Sequence, residues 1–100
     1  MVAHVYMLRC ADGSYYVGST RKPLDERIRE HLSGAVDGYT ARRLPVTLVW
    51  ANSFERHTDA FDVEKQIKGW SRRKKEALIC GDWDAIQAFS RSYQHHGRAG

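Results

Sequence analysis

The 100-residue sequence predicts an α+β domain: a three-stranded antiparallel sheet flanked by helices, in the order β-β-α-β-α-α-α. Two Val- and Tyr-rich runs either side of Ala11-Asp12-Gly13-Ser14 read as a hairpin, and Val46 to Asn52 reads as a third strand. Apolar residues at helical spacing fill much of the remainder. With 42% of residues hydrophobic and 28% charged, the chain can bury one core, and a second does not fit this length.

The hairpin joins Ala3–Cys10 to Tyr15–Ser19, and its register decides where two tyrosines point. A two-residue Asp12-Gly13 turn sets Tyr6 opposite Ser19 and Tyr16 opposite Arg9, on opposite faces. A three-residue loop with Gly13 left-handed sets Tyr6 opposite Thr20 and Tyr16 opposite Cys10, on one face. Sequence leaves both open. Pro23 then suits a first helical turn, Leu24, Ile28 and Leu32 recur every fourth residue, and Ser33-Gly34 ends the pattern. Residues 35–44 have no period and read as a basic surface loop. After the third strand, Thr58 is the expected N-cap of a helix over 58–69 with the stripe Ala60, Phe61, Val63, Ile67 and Trp70. Ser71 caps a third helix containing Ala77, Leu78 and Ile79. Gly81-Asp82 resets the chain for a fourth with Trp83, Ile86 and Phe89. No internal repeat or linker interrupts it, so we expect one domain over residues 1–90 and a frayed tail over 91–100.

The longest apolar runs, such as Leu48 to Ala51, fall far short of the roughly 20 residues that cross a bilayer. The N-terminus has no basic, apolar and small-residue succession of a secretory signal, which makes a cytoplasmic location and no membrane partner the expectation. Cys10 and Cys80 form no zinc-binding pattern and are expected to be reduced and structural. A net charge of +4 and a pI near 9.3 favour polyanionic partners.

Three polar residues sit on or beside apolar stripes. Arg27 and His31 border the first helix's stripe, three residues after Leu24 and four after Arg27 respectively. Glu64 lies three residues after Phe61 and three before Ile67, on a face that otherwise reads as buried. A carboxylate there costs several kcal/mol unless paired, hydrogen-bonded, protonated or bound to metal. An ion pair with Arg27, a metal site, or a rotated helix that leaves Glu64 in water would each resolve it.

Val5-Tyr6, Tyr16-Val17-Gly18, Arg27 and Glu64 resemble, in order and spacing, the GIY-YIG nuclease superfamily. Further blocks are similar to its small stand-alone, single-domain group: Leu8 to Ser14, Arg27 to His31, Tyr39-Thr40, Pro45 to Val49 and Glu64 to Lys68. Together they span residues 3–80. The resemblance implies the three-stranded sheet read above and hydrolysis of phosphodiester bonds in nucleic acid, DNA more than RNA, with a divalent metal, Mg²⁺ or Mn²⁺. By position it makes Tyr6 and Tyr16 the motif tyrosines, Arg27 the helical arginine and Glu64 the metal-binding carboxylate. A hard cation keeps several waters, so one carboxylate plus substrate phosphate can hold it. Arg27 would donate to the same phosphate oxygens. Tyr6 is the candidate general base, with Tyr16 positioning the water or joining a relay, and His31 is the competing base. His4 stands where the superfamily has its first motif glycine, so a side chain is expected to reshape that part of the cleft. No separate DNA-binding module follows the shared blocks, from which we expect low sequence specificity.

Lys65, Lys68, Arg72, Arg73, Lys74 and Lys75 cluster from the second helix into the third, and Arg42 and Arg43 lie on the loop. Arg42, Arg43, Lys68 and Arg72 are the candidate phosphate contacts. Lys68 lies one turn beyond Glu64 and is expected to face the same cleft. Trp70 and Trp83 are read as packing residues.

Overall fold

The computed structural model describes residues 2–36 and 38–82. They form β1 (Ala3–Arg9), β2 (Tyr15–Thr20), α1 (Leu24–Leu32), α2 (Gly38–Ala41), β3 (Thr47–Phe54), α3 (His57–Lys68) and α4 (Arg72–Cys80). The sheet is antiparallel with order β2-β1-β3, which places the apolar β1 at its centre. The expected fourth helix and terminal tail lie outside the described residues. The chain forms two compact units, Met1–Gly69 and Trp70–Gly100.

In the first unit, neither hairpin register anticipated from sequence forms. Tyr6 faces Gly18 and Leu8 faces Tyr16. The loop has three residues and Gly13 is left-handed at φ 86°, but it is Ala11-Asp12-Gly13, closed by Cys10 N–H donating to Ser14 O at 2.8 Å. Asp12 selects this loop. Its Oδ1 accepts from both the backbone N–H and the hydroxyl of Ser14, at 3.0 and 2.6 Å, a local Asx-type turn that fixes where β2 begins. The shift is two residues from the three-residue-loop expectation, so parity is kept and both tyrosines share a face.

Alternation sends Tyr6, Leu8 and Cys10 to one face, where with Val46 they form a core packed by Tyr16, Leu24 and Ile28. Val5 and Met7 are buried on the other face, and α3 packs across β1 and β2 with Ala60 and Ile67 buried. The central strand is therefore covered on both sides.

α1 is followed by Ser33 and by Gly34 at φ 76°, as expected from sequence, but Pro23 is its N-cap, extended at ψ 137°, rather than part of its first turn. α3 begins one residue earlier than expected, and its N-cap is Arg56 rather than Thr58, with no side-chain capping bond. Residues 35–44 are not all loop, because Gly38–Ala41 makes the single turn α2. One turn is too short to display a period.

In the second unit Ser71 caps α4, its hydroxyl accepting from Lys74 N–H at 3.2 Å, and Gly81 closes the helix at φ 72°. The Lys74 ammonium lies 4.1 Å from the centre of the Trp70 ring, and burial holds its pKa below the ordinary lysine value. Cys10 is buried and Cys80 exposed, both as free thiols.

Candidate active site

The site is built on Gly18. A Cβ at this position would lie 2.7 Å from Tyr6 Oη, 2.8 Å from Tyr6 Cζ and 3.0 Å from Tyr16 Cε2. The Tyr6 side chain lies over its cross-strand partner, and only a residue without a side chain leaves room for it. Tyr6 is fully buried while Tyr16 is half-buried.

From α1, His31 meets both tyrosines, with ring centres 5.6 Å from Tyr6 and 5.2 Å from Tyr16. Its Nε2 lies 2.7 Å from Tyr6 Oη, and its Nδ1 lies 3.0 Å from Thr40 Oγ1 on α2. Arg27, one turn before His31, donates from Nε to Tyr6 Oη at 3.4 Å and from Nη1 to Glu30 at 2.9 Å. The Tyr6 hydrogen bond first, and then Glu30, hold the Arg27 pKa above its ordinary value against the opposing effect of burial. Its Nη2 has no partner among the described residues. Glu30 is held in turn by Lys22 at 2.6 Å, so Arg27 is anchored at one end and open at the other.

Glu64 arrives from the opposite face of the sheet. Its Oε1 accepts from the Ser19 hydroxyl at 2.5 Å, and its Oε2 pairs with Lys68 at 2.7 Å. Ser19 follows Gly18 on β2, which is an edge strand, so carboxylate and tyrosines meet adjacent residues of one strand from its two faces. The anticipated Glu64–Arg27 ion pair does not form: Arg27 pairs with Glu30, and the side chain that neutralises Glu64 is Lys68, one turn along its own helix. Nor does the rotated-helix alternative hold, since Glu64 is buried.

A divalent metal would have to be held by few protein donors here. Among the described residues no three His, Cys, Asp or Glu side chains converge as a metal centre. One mostly buried carboxylate with a neighbouring hydroxyl, facing an ammonium, is nonetheless suited to a hard cation that keeps most of its waters. Glu64 fits, with Ser19 beside it.

The basic candidates fall into different settings. Arg42 is exposed at the end of α2. Arg43 stacks 3.7 Å over the Tyr39 ring, donates to Asp12 Oδ2 at 3.0 Å and donates to Tyr39 O at 3.0 Å. It ties the hairpin loop to α2. Lys68 is on Glu64, and Arg72 pairs with Glu76 within α4 at 3.1 Å. His4, in place of the motif glycine, has Nδ1 2.9 Å from Ser53 Oγ, which engages it with β3. Sequence reasoning missed Thr40 as a site residue. The only signal for it was its place in the Tyr39-Thr40 block.

A family model described as the GIY-YIG catalytic domain matches residues 2–77, which include every residue of this cluster. The chain belongs to the GIY-YIG family. Among GIY-YIG relatives it is 44% identical to a UPF0213 protein of Halobacterium salinarum, over 76% of this chain and 97% of that one. A UPF0213 protein of Halalkalibacterium halodurans is 43% identical over 76% of this chain and 80% of its own. Two solution NMR structures share the fold. One is the UPF0213 protein of Bacillus halodurans, with TM-score 0.53, 42% identity and coverage of 80% of this chain and 84% of that chain. The other is a protein of E. faecalis, with TM-score 0.55, 34% identity and coverage of 81% and 85%. No helix of the described residues is long and apolar enough to cross a membrane.

Proposed function

We propose that this GIY-YIG domain is a divalent-metal-dependent endonuclease that hydrolyses phosphodiester bonds, in DNA rather than RNA and with low sequence specificity. The observation that carries the reading is the buried contact of Tyr6 with His31 and Arg27, an imidazole and a guanidinium converging on one phenol oxygen. Hydrolysis needs a proton taken from water and negative charge stabilised on phosphate, and these groups are suited to both. In the reading, Tyr6 and His31 are successive members of one relay. Tyr16 is the more exposed tyrosine and faces the attacking water. Tyr6 takes the proton of that water as its own moves to His31 Nε2, the better proton acceptor of the two near neutral pH, so one O–H bond breaks on water and one N–H bond forms on the imidazole. Arg27 Nη2 donates to a phosphate oxygen, while its Nε steadies the phenol oxygen as it gains negative charge.

Glu64, with Ser19, would hold the Mg²⁺ or Mn²⁺ ion. Bound there, the cation would supply Lewis-acid stabilisation of phosphate and leaving-group charge. Lys68 would then turn from Glu64 towards substrate and join Arg42 as a phosphate contact, with Arg43 adding to the positive field from its existing partners. A second reading, a nucleic-acid-binding module that does not cleave, draws on the Lys68 ammonium already neutralising Glu64.

Purified protein is incubated with labelled single-stranded, duplex and branched DNA and with RNA, each with Mg²⁺, Mn²⁺ or EDTA. Product from DNA that requires metal supports the endonuclease. Salt-sensitive binding without product on any substrate supports the second reading.

A further inference from the structure

We infer that Thr40 is a positioning residue that holds His31 in the tautomer able to take the Tyr6 proton. The inference rests on the nuclease reading above and adds a residue to it. Four contacts run in series: Arg27 Nε to Tyr6 Oη at 3.4 Å, Tyr6 Oη to His31 Nε2 at 2.7 Å, His31 Nδ1 to Thr40 Oγ1 at 3.0 Å, and Thr40 Oγ1 to the Val36 carbonyl at 3.4 Å. The ends of the series fix its direction. Arg27 Nε only donates and the Val36 carbonyl only accepts. One arrangement alone places a proton in all four contacts. Thr40 donates to Val36, His31 donates from Nδ1 to Thr40, and Tyr6 donates to the bare Nε2. Reversing it makes Thr40 donate to Nδ1 and leaves two oxygens facing each other at Val36.

Tyr6, His31 and Thr40 are each fully buried, so water does not compete for these protons. When the phenol proton moves to Nε2, the O–H bond of Tyr6 breaks and an N–H bond forms on His31. The imidazolium still donates from Nδ1 to Thr40, and the phenolate oxygen then accepts from both Nε2–H and Arg27 Nε–H. No side chain has to move. An imidazole in the other tautomer would present Nε2–H to Tyr6 and could accept no proton from it.

The test uses the full-length protein, with the His31 ring-nitrogen chemical shifts read at neutral pH in the absence of nucleic acid. We expect a neutral ring protonated at Nδ1 in wild type and in Thr40→Ser, and at Nε2 in Thr40→Val, where a methyl group replaces the acceptor. Cleavage of the preferred substrate is expected to fall about 10²-fold in Thr40→Val and to be restored in Thr40→Ser. A wild-type ring protonated at Nε2 or at both nitrogens overturns the inference, even should Thr40→Val fail to fold. So does a Thr40→Val protein with the wild-type tautomer, or with wild-type cleavage. Absence of cleavage by wild type, with the tautomer as expected, counts against the nuclease reading alone.

Discussion

Replacing Gly18 by Ala tests the close approach on which the site is built. The new Cβ would stand 2.7 Å from Tyr6 Oη and 2.8 Å from Cζ, whereas ordinary contact begins near 3.4 Å, so the ring must retreat by about 0.7 Å. That displacement rivals the tolerance of the 2.7 Å Tyr6–His31 contact. Overpacking of this kind costs about 1–3 kcal/mol, and Ala recovers about 0.5–1 kcal/mol over Gly in a strand. The expected net loss is about 1–2 kcal/mol, read as a Tm lower by about 4–15 °C in a domain of this size. Thermal unfolding of the four proteins in a cycle with Tyr6→Leu isolates the contact. In the Leu background the ring is gone, and Gly18→Ala should be neutral or stabilising, giving a coupling of at least about 1 kcal/mol. Equal Tm changes in both backgrounds, or a higher Tm for Gly18→Ala alone, would refute the reasoning.

Two further outcomes follow from the charged groups. Lys68→Met removes the cation that faces Glu64; with the lysine half-exposed to screening solvent the pair is worth about 0.2–1 kcal/mol, so Mn²⁺ should bind up to about fivefold more tightly in a calorimetric titration, and equal or weaker binding would contradict the pairing. The Ser14 hydroxyl, then the Ser14 N–H and Arg43 hold the Asp12 carboxyl below the usual carboxylate range. A carboxylate whose pKa falls on folding stabilises the fold above its unfolded value and loses that contribution as pH drops through the folded value. Urea unfolding should therefore separate wild type from Asp12→Asn at pH 7, and the gap should close as pH falls below the unfolded carboxylate value of about 3.9 and on through the lower folded one; a constant gap would argue against the turn's role.

Much of the frame was legible because it is local. Ser71 and Gly81 mark the ends of α4, Gly34 follows α1, and the Asp12-Gly13 pair marks the hairpin. What escaped was tertiary. The hairpin register turned on which backbone N–H the Asp12 carboxylate would take, a choice invisible in composition. Arg27 and Glu64 are complementary in charge, but each found a nearer partner on its own helix, Glu30 and Lys68. His31 reads from sequence as bordering the α1 stripe and as the competing base, and the structure makes it fully buried with both ring nitrogens engaged. Thr40 gave no periodic signal from a one-turn helix, and its part emerges only where α2 meets α1.

The most direct test is single-turnover cleavage of the preferred nucleic acid in Mg²⁺ by wild type beside Glu64→Ala, with binding of the same substrate measured in parallel. The account predicts cleavage by wild type that EDTA abolishes, a loss of at least about 10²-fold in Glu64→Ala, and retained salt-sensitive binding by the variant. Equal cleavage by the two proteins would contradict it.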